Sequence, residues 1–146
     1  MIYKIASGIA KNLREAFPDI TKIYQSTVEQ GLDAPAFLIQ KIDVIHQPRI
    51  GGYFQQTYPF DVVYLPFKQS DRDAEARDVW EKEEALPAVL RYIEVDGQTL
   101  TADNEPEVIV VEGDIHCRVT YRARWAYQND DDLPMDSMDE NINVED

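Results

Sequence analysis

No internal disulfide can form in a chain whose 146 residues include a single cysteine, Cys117. The two histidines, His46 and His116, bring the soft-ligand set to three, one short of a four-ligand Cys/His zinc site. A disulfide-stapled secreted domain and a zinc finger are both excluded. Apolar runs are short, as over 108–111, and the amino-terminal stretch is amphipathic, with Lys4 and Lys11 where a signal peptide has its hydrophobic core. No membrane-spanning or targeting segment is legible, so a soluble cytosolic protein is expected. Basic residues are scarce as well: 14 Lys and Arg stand against 28 Asp and Glu, a formal charge of −14. Binding nucleic acid through its phosphates needs clustered cations to replace released counterions, and that composition argues against it.

The charge is uneven. From Gln128 onward there is no Lys or Arg, and eight acids fall there: Asp130, Asp131, Asp132, Asp136, Asp139, Glu140, Glu145 and Asp146. Residues 1–127 keep only −6 of the −14, an ordinary value for a domain of that size. The chain therefore divides into a folded body, 1–127, and an acidic tail, 128–146, with too few apolar residues to offset its ordering entropy. The plainer reading of the tail is a solubilising segment. The other is that Leu133, Met135, Met138, Ile142 and Val144 let it order against a partner.

Within the body, Ile2, Ile5, Ala6, Ile9, Ala10, Leu13, Ala16 and Phe17 are spaced by threes and fours, which predicts a helix stopped by Pro18. A short strand is expected over 21–27 and a turn over 31–35. Residues 36–46 and 53–65 read as antiparallel strands joined by a loop over 47–52, and Pro59 calls for an edge position or a bulge. Ser70, with Asp73 three residues on, resembles an N-cap for a second helix. Its stripe is Ala76, Val79, Trp80, Leu86, Val89, Leu90 and Ile93, with a kink or break at Pro87. Asp96 and Gly97 make a turn, 99–106 an irregular connection, and 107–112 and 114–127 a hairpin around Gly113. In the last strand Ile115, Cys117, Val119, Tyr121, Ala123, Trp125 and Tyr127 alternate with Asp114, His116, Arg118, Thr120, Arg122 and Arg124. One face is apolar and the other cationic. The fold class is α+β, a mainly antiparallel sheet with two helices packed on one face.

Candidates for chemistry are few. His116 and Cys117 are adjacent, so a strand points them to opposite faces and they cannot share a metal. His46 has no near partner. Asp61, Glu94, Asp96, Glu112 and Asp114 would serve a hydrolase only if the fold gathered them around a divalent cation. No metalloprotease, nucleophile-elbow, phosphate-loop or dinucleotide motif occurs, and no enzyme activity, cofactor or metal is expected. Arg118, Arg122 and Arg124 place three of the 14 basic residues within seven positions. They either pair across the sheet with acids such as Glu107 or Asp61, or meet acidic surface on another subunit through Arg–carboxylate forks. Arg49, Ile50, Tyr53 and Phe54 flank two glycines and suggest a projecting arm of the composition found at protein interfaces; the alternative is a surface turn whose aromatics fold back onto the sheet. The candidate interface residues are thus Arg49, Tyr53, Phe54, Arg118, Arg122 and Arg124.

The string Val28, Glu29, Gln30, Gly31, Leu32, with Pro35 and Phe37, Leu38, Ile39 after it, is followed by Tyr58, Pro59, Phe60, Asp61, Val62, Val63, Tyr64 and by Leu90, Arg91, Tyr92, Ile93, Glu94, Val95, Asp96, Gly97. In order and spacing this resembles the phage tail terminator proteins encoded in tail operons of Gram-positive phages and defective prophages. The resemblance runs over about residues 2–127. It implies a small α+β subunit of the virion tail, assembled in the host cytoplasm as a six-fold ring on the last ring of the major tail tube protein. There it would halt tube polymerisation and present a surface to a head completion or neck protein, with DNA only passing through the channel. The residues are compatible with this: a closed ring needs a heterologous interface, and a cationic strand face beside acidic surface offers complementary patches. Rival readings are another neck or tail-completion adaptor, an acidic DNA mimic, and the hydrolase already named.

Overall fold

A computed structural model of the chain describes residues 1–25, 32–68 and 70–126, without the side chains of Trp125 and Ala126. The acidic stretch 128–146 lies outside the described residues. Helix α1 spans Ile2–Ala16, and Ile5, Ile9 and Leu13, one helical turn apart, are fully buried on one stripe. Phe17 leaves the helical well with φ −129° directly before Pro18. Of the strand expected over 21–27, the described part is β1, Ile23–Tyr24, which runs parallel to β2, Ala36–Lys41.

After Lys41 the chain resumes as β3, Ile45–Arg49, and both β2 and β3 lie antiparallel against one long strand, β4, Tyr53–Leu65. The loop expected over 47–52 is therefore too long. Gln47, Pro48 and Arg49 belong to β3, and the turn is Ile50, Gly51 and Gly52, with φ +89° and +77° at the two glycines. Pro48 is tolerated because β3 is an edge. Pro59, by contrast, lies in the middle of a central strand. Its carbonyl accepts from the Ile42 N–H at 2.9 Å, and a strand residue's N and O point the same way, so its missing donor falls where β2 breaks from β3. The proline is accommodated by an interruption in the neighbouring strand.

Helix α2 spans Arg72–Leu90 and begins at Asp71, not Ser70. The Asp71 Oδ1 accepts from the N–H groups of Asp73 at 3.0 Å and Ala74 at 3.2 Å, which a short carboxylate reaches directly. The helix runs through Pro87 without a break, since the ring removes one bond near its end. Its expected stripe is corrected at Trp80, Lys82 and Ile93. Trp80 is 67% exposed, whereas Lys82 is buried, held by Asp78 at 2.8 Å and lying 5.3 Å from the ring centres of both Phe17 and Tyr64. Ile93 is not helical either. It sits in β5, Tyr92–Val95, paired through a turn at Asp96 (φ +52°) and Gly97 (φ +77°) with β6, Gln98–Thr101, which takes up the first residues, 99–101, of the stretch expected to be irregular.

Strands β7, Glu107–Val111, and β8, Asp114–Ala126, form the expected hairpin around Glu112 and Gly113. β8 pairs with β4 from Tyr64↔Ile115 to Tyr53↔Ala126, giving a sheet of order β1-β2-β4-β8-β7 with β3 beside β2 on β4. Only the β1–β2 pair is parallel among the described strands. Both helices cover one face: α1 and α2 contribute Ile5, Ile9, Leu13, Leu86 and Leu90 to a core with Phe37, Tyr58, Phe60, Tyr64, Val119 and Tyr121. This is the α+β layer expected from the pattern.

Candidate subunit interface

β4 and β8 are 13 residues each, longer than the strands flanking them. Their far ends, with β3, form a three-stranded arm that turns at Ile50. Ile50 is 100% exposed and Tyr53 46%, while Arg49 bonds Gln47 at 3.1 Å within its own strand. Phe54 is buried instead, with its ring 4.7 Å from that of His46. Of the two readings of the arm, folding back applies to Phe54 and projection to Arg49, Ile50 and Tyr53.

Alternation along β8 turns Ile115, Cys117, Val119 and Tyr121 to the helices and His116, Arg118, Arg122 and Arg124 to the open face. Register puts Arg118 between Asp61 of β4 and Glu107 of β7. Neither acid binds it. Asp61 pairs with His116, Oδ2 to Nδ1 at 2.9 Å, and its Oδ1 is buried without a hydrogen-bond partner among the described residues. Arg122 turns aside to Asp103, on the connection after β6, at 2.7 Å, and the Asp103 N–H bonds the Thr120 carbonyl at 2.7 Å. Arg118 and Arg124 have no ion-pair partner among the described residues and are exposed. The stripe is thus one cation used internally and two left for solvent or a partner.

Cys117 is fully buried; burial, with the Asp61 charge added, pushes its thiol up from 9.0 to about 12. The acids considered as a metal set are dispersed: Asp61 on the open sheet face, Glu94 and Asp96 on the β5–β6 hairpin beside Lys11 and Lys4, and Glu112 and Asp114 at the β7–β8 turn. Among the described residues no group of three or more His, Cys, Asp or Glu is placed to hold a metal ion. A cleft of about 700 Å³ between the start of α1 and β2–β4 is lined by Ile2, Tyr3, Lys41, Val44, Tyr58 and Phe60 among others, with no carboxylate, imidazole or thiol among the described residues of its wall. It offers an apolar recess and amide groups, not an acid–base pair.

Sequence reasoning passed over a second exposed feature. Trp80, Glu83, Glu84 and Pro87 of α2 face Pro106 and Val108 across an open groove of about 640 Å³. Periodicity alone assigns Trp80 to the core stripe, because it is large and apolar. The available signal was its angle: Lys82, Leu86 and Leu90 make the buried stripe at spacings of four, half-buried Val79 continues it three residues earlier, and Trp80 lies off it.

Several solved structures match; one of them covers 88% of this chain and 97% of its own, at 12% identity and a TM-score of 0.41. No curated protein matches. A family model described as phage tail terminator protein matches residues 4–133, which include α2, every described strand and all of α1 but its first two residues, and the chain belongs to that family.

Proposed function

We propose that the protein caps the growing tail tube as a six-fold ring, stops its polymerisation and forms the surface to which the head joins. Family membership makes it a structural component of the phage tail, and that membership is the observation carrying the finer reading. The partners are further copies of itself, the major tail tube protein and a head completion or neck protein. DNA only traverses the channel, and no cofactor takes part.

The open sheet face supports this reading. A ring closes through a heterologous contact in which unlike patches meet. Arg118 and Arg124 leave fixed positive charge on a sheet whose chain is otherwise strongly acidic, and such patches orient subunits during encounter. Arg49 and Tyr53 at the arm extend the same surface, while Arg122 and Phe54 brace it from within. The net charge of −14 keeps a channel lined by this protein from adhering to the DNA that passes through it. Electron microscopy of tails produced without this protein tests the reading: overlong or headless tails are expected, and tails of normal length joined to heads would refute it.

A further inference from the structure

We infer that the arm tip of one copy seats in the α2–β7 groove of the next, Arg49 against Glu83 and Glu84 and Ile50 against the apolar wall. The inference rests on the ring reading and names the contact that closes the ring.

The groove is built to take a cation beside an apolar knob. Glu83 and Glu84 lie one after the other on its rim, and among the described residues neither has an ion-pair partner. Pro87 has no N–H to give the Glu83 carbonyl, so a further acceptor stands at the same rim. Trp80, 67% exposed, offers a ring face on which a guanidinium stacks. Pro87, Pro106 and Val108 supply an apolar floor. The arm tip presents the complement in adjacent positions: Arg49, then Ile50 at 100% exposure. An isoleucine wholly in water beside a planar cation is the composition of an interface anchor.

The tip cannot reach its own groove. Val108 lies opposite Cys117, and the tip begins where Tyr53 lies opposite Ala126, so about 30 Å of paired strand separates them at about 3.4 Å per residue. The strands hold that distance, and the knob must enter another copy. Donor and acceptor patches lie at different ends of one molecule, the arrangement that makes a ring when the rotation closes.

The test uses the full chain on assembled tubes. Arg49→Glu alone and Glu83→Arg with Glu84→Arg are each expected to weaken ring formation about tenfold or more, with unchanged circular dichroism and Tm, and the three changes together to restore it. Independently, Ile50→Cys protein mixed with Glu84→Cys protein is expected to give a bismaleimide-linked dimer that neither gives alone. Charge-reversed variants that assemble like wild type, or cysteines that link to the tube protein and not to each other, would overturn the contact while leaving the ring standing. Wild-type protein that forms no ring on tubes would overturn the ring reading itself.

Discussion

Lys82 shows how much one misread side chain decides. It sits in the buried stripe of α2, its ammonium bonded to Asp78, which also accepts from the Tyr64 hydroxyl at 2.6 Å. Burial, followed by that bond, holds the Tyr64 phenol far above its ordinary range. Lys82→Ala leaves a carboxylate without its counter-charge at the core boundary and is expected to cost about 3 kcal/mol in urea denaturation; adding Asp78→Asn should recover much of that loss. The sequence hid this because a lysine interrupts an apolar pattern, although the four-residue spacing from Asp78 was there to be read. Cys117 was legible, since alternation alone buried it. With its thiol raised to about 12, maleimide should label it only after unfolding at pH 8. The sign for stability follows: the neutral folded thiol helps fully below its ordinary 9.0 and that help declines as pH rises toward 12, so Cys117→Ala should flatten the alkaline limb of a stability–pH curve.

The helices meet the second, small sheet at close range. A Cβ at Gly8 would come within 2.9 Å of the Glu94 carbonyl, so Gly8→Ala must push α1 off β5 and is expected to lower stability by about 1–3 kcal/mol, read as a lower Tm. The end of α2 has no glycine cap. Its last carbonyls are taken by side chains from elsewhere: Asn12 Nδ2 bonds that of Val89 at 2.9 Å, and also that of Tyr92 at the start of β5 at 2.6 Å, and the Tyr121 hydroxyl donates to that of Leu90. Tyr121→Phe removes one such bond inside the core and is expected to cost about 1 kcal/mol or somewhat more by chemical denaturation. These ties explain what periodicity could and could not show. Both helices, the β7–β8 hairpin and the long β4 are plain in spacing and turn residues. β5 and β6 were lost because Ile93 happens to continue the α2 register, and the end of α2 depends on Asn12 and Tyr121, which lie far off in the chain. Trp80 was lost because an apolar residue need not be buried.

For the whole molecule, the cationic face was legible from alternation, but the division of labour on it was not. Asp103, which claims Arg122, comes from a connection with no regular pattern, and His116 reaches Asp61 ahead of Arg118. Arg124→Glu, opposite the neutral Gln55, should therefore leave Tm within about 2 °C of wild type while weakening association about tenfold, and association of the wild type should fall as salt is raised. The same change at Arg122 should lower Tm as well, since it sets like charges against Asp103. The acid-rich stretch 128–146 carries more than half of the net charge, so its influence on association is expected to be largest at low salt. The most direct measurement is the length of tubes grown from purified major tail tube protein as this protein is titrated in. One ring per tube end should arrest elongation, so mean length should fall with increasing protein and the arrested ends should each carry a ring. An unchanged length distribution at saturating protein would contradict a terminating role.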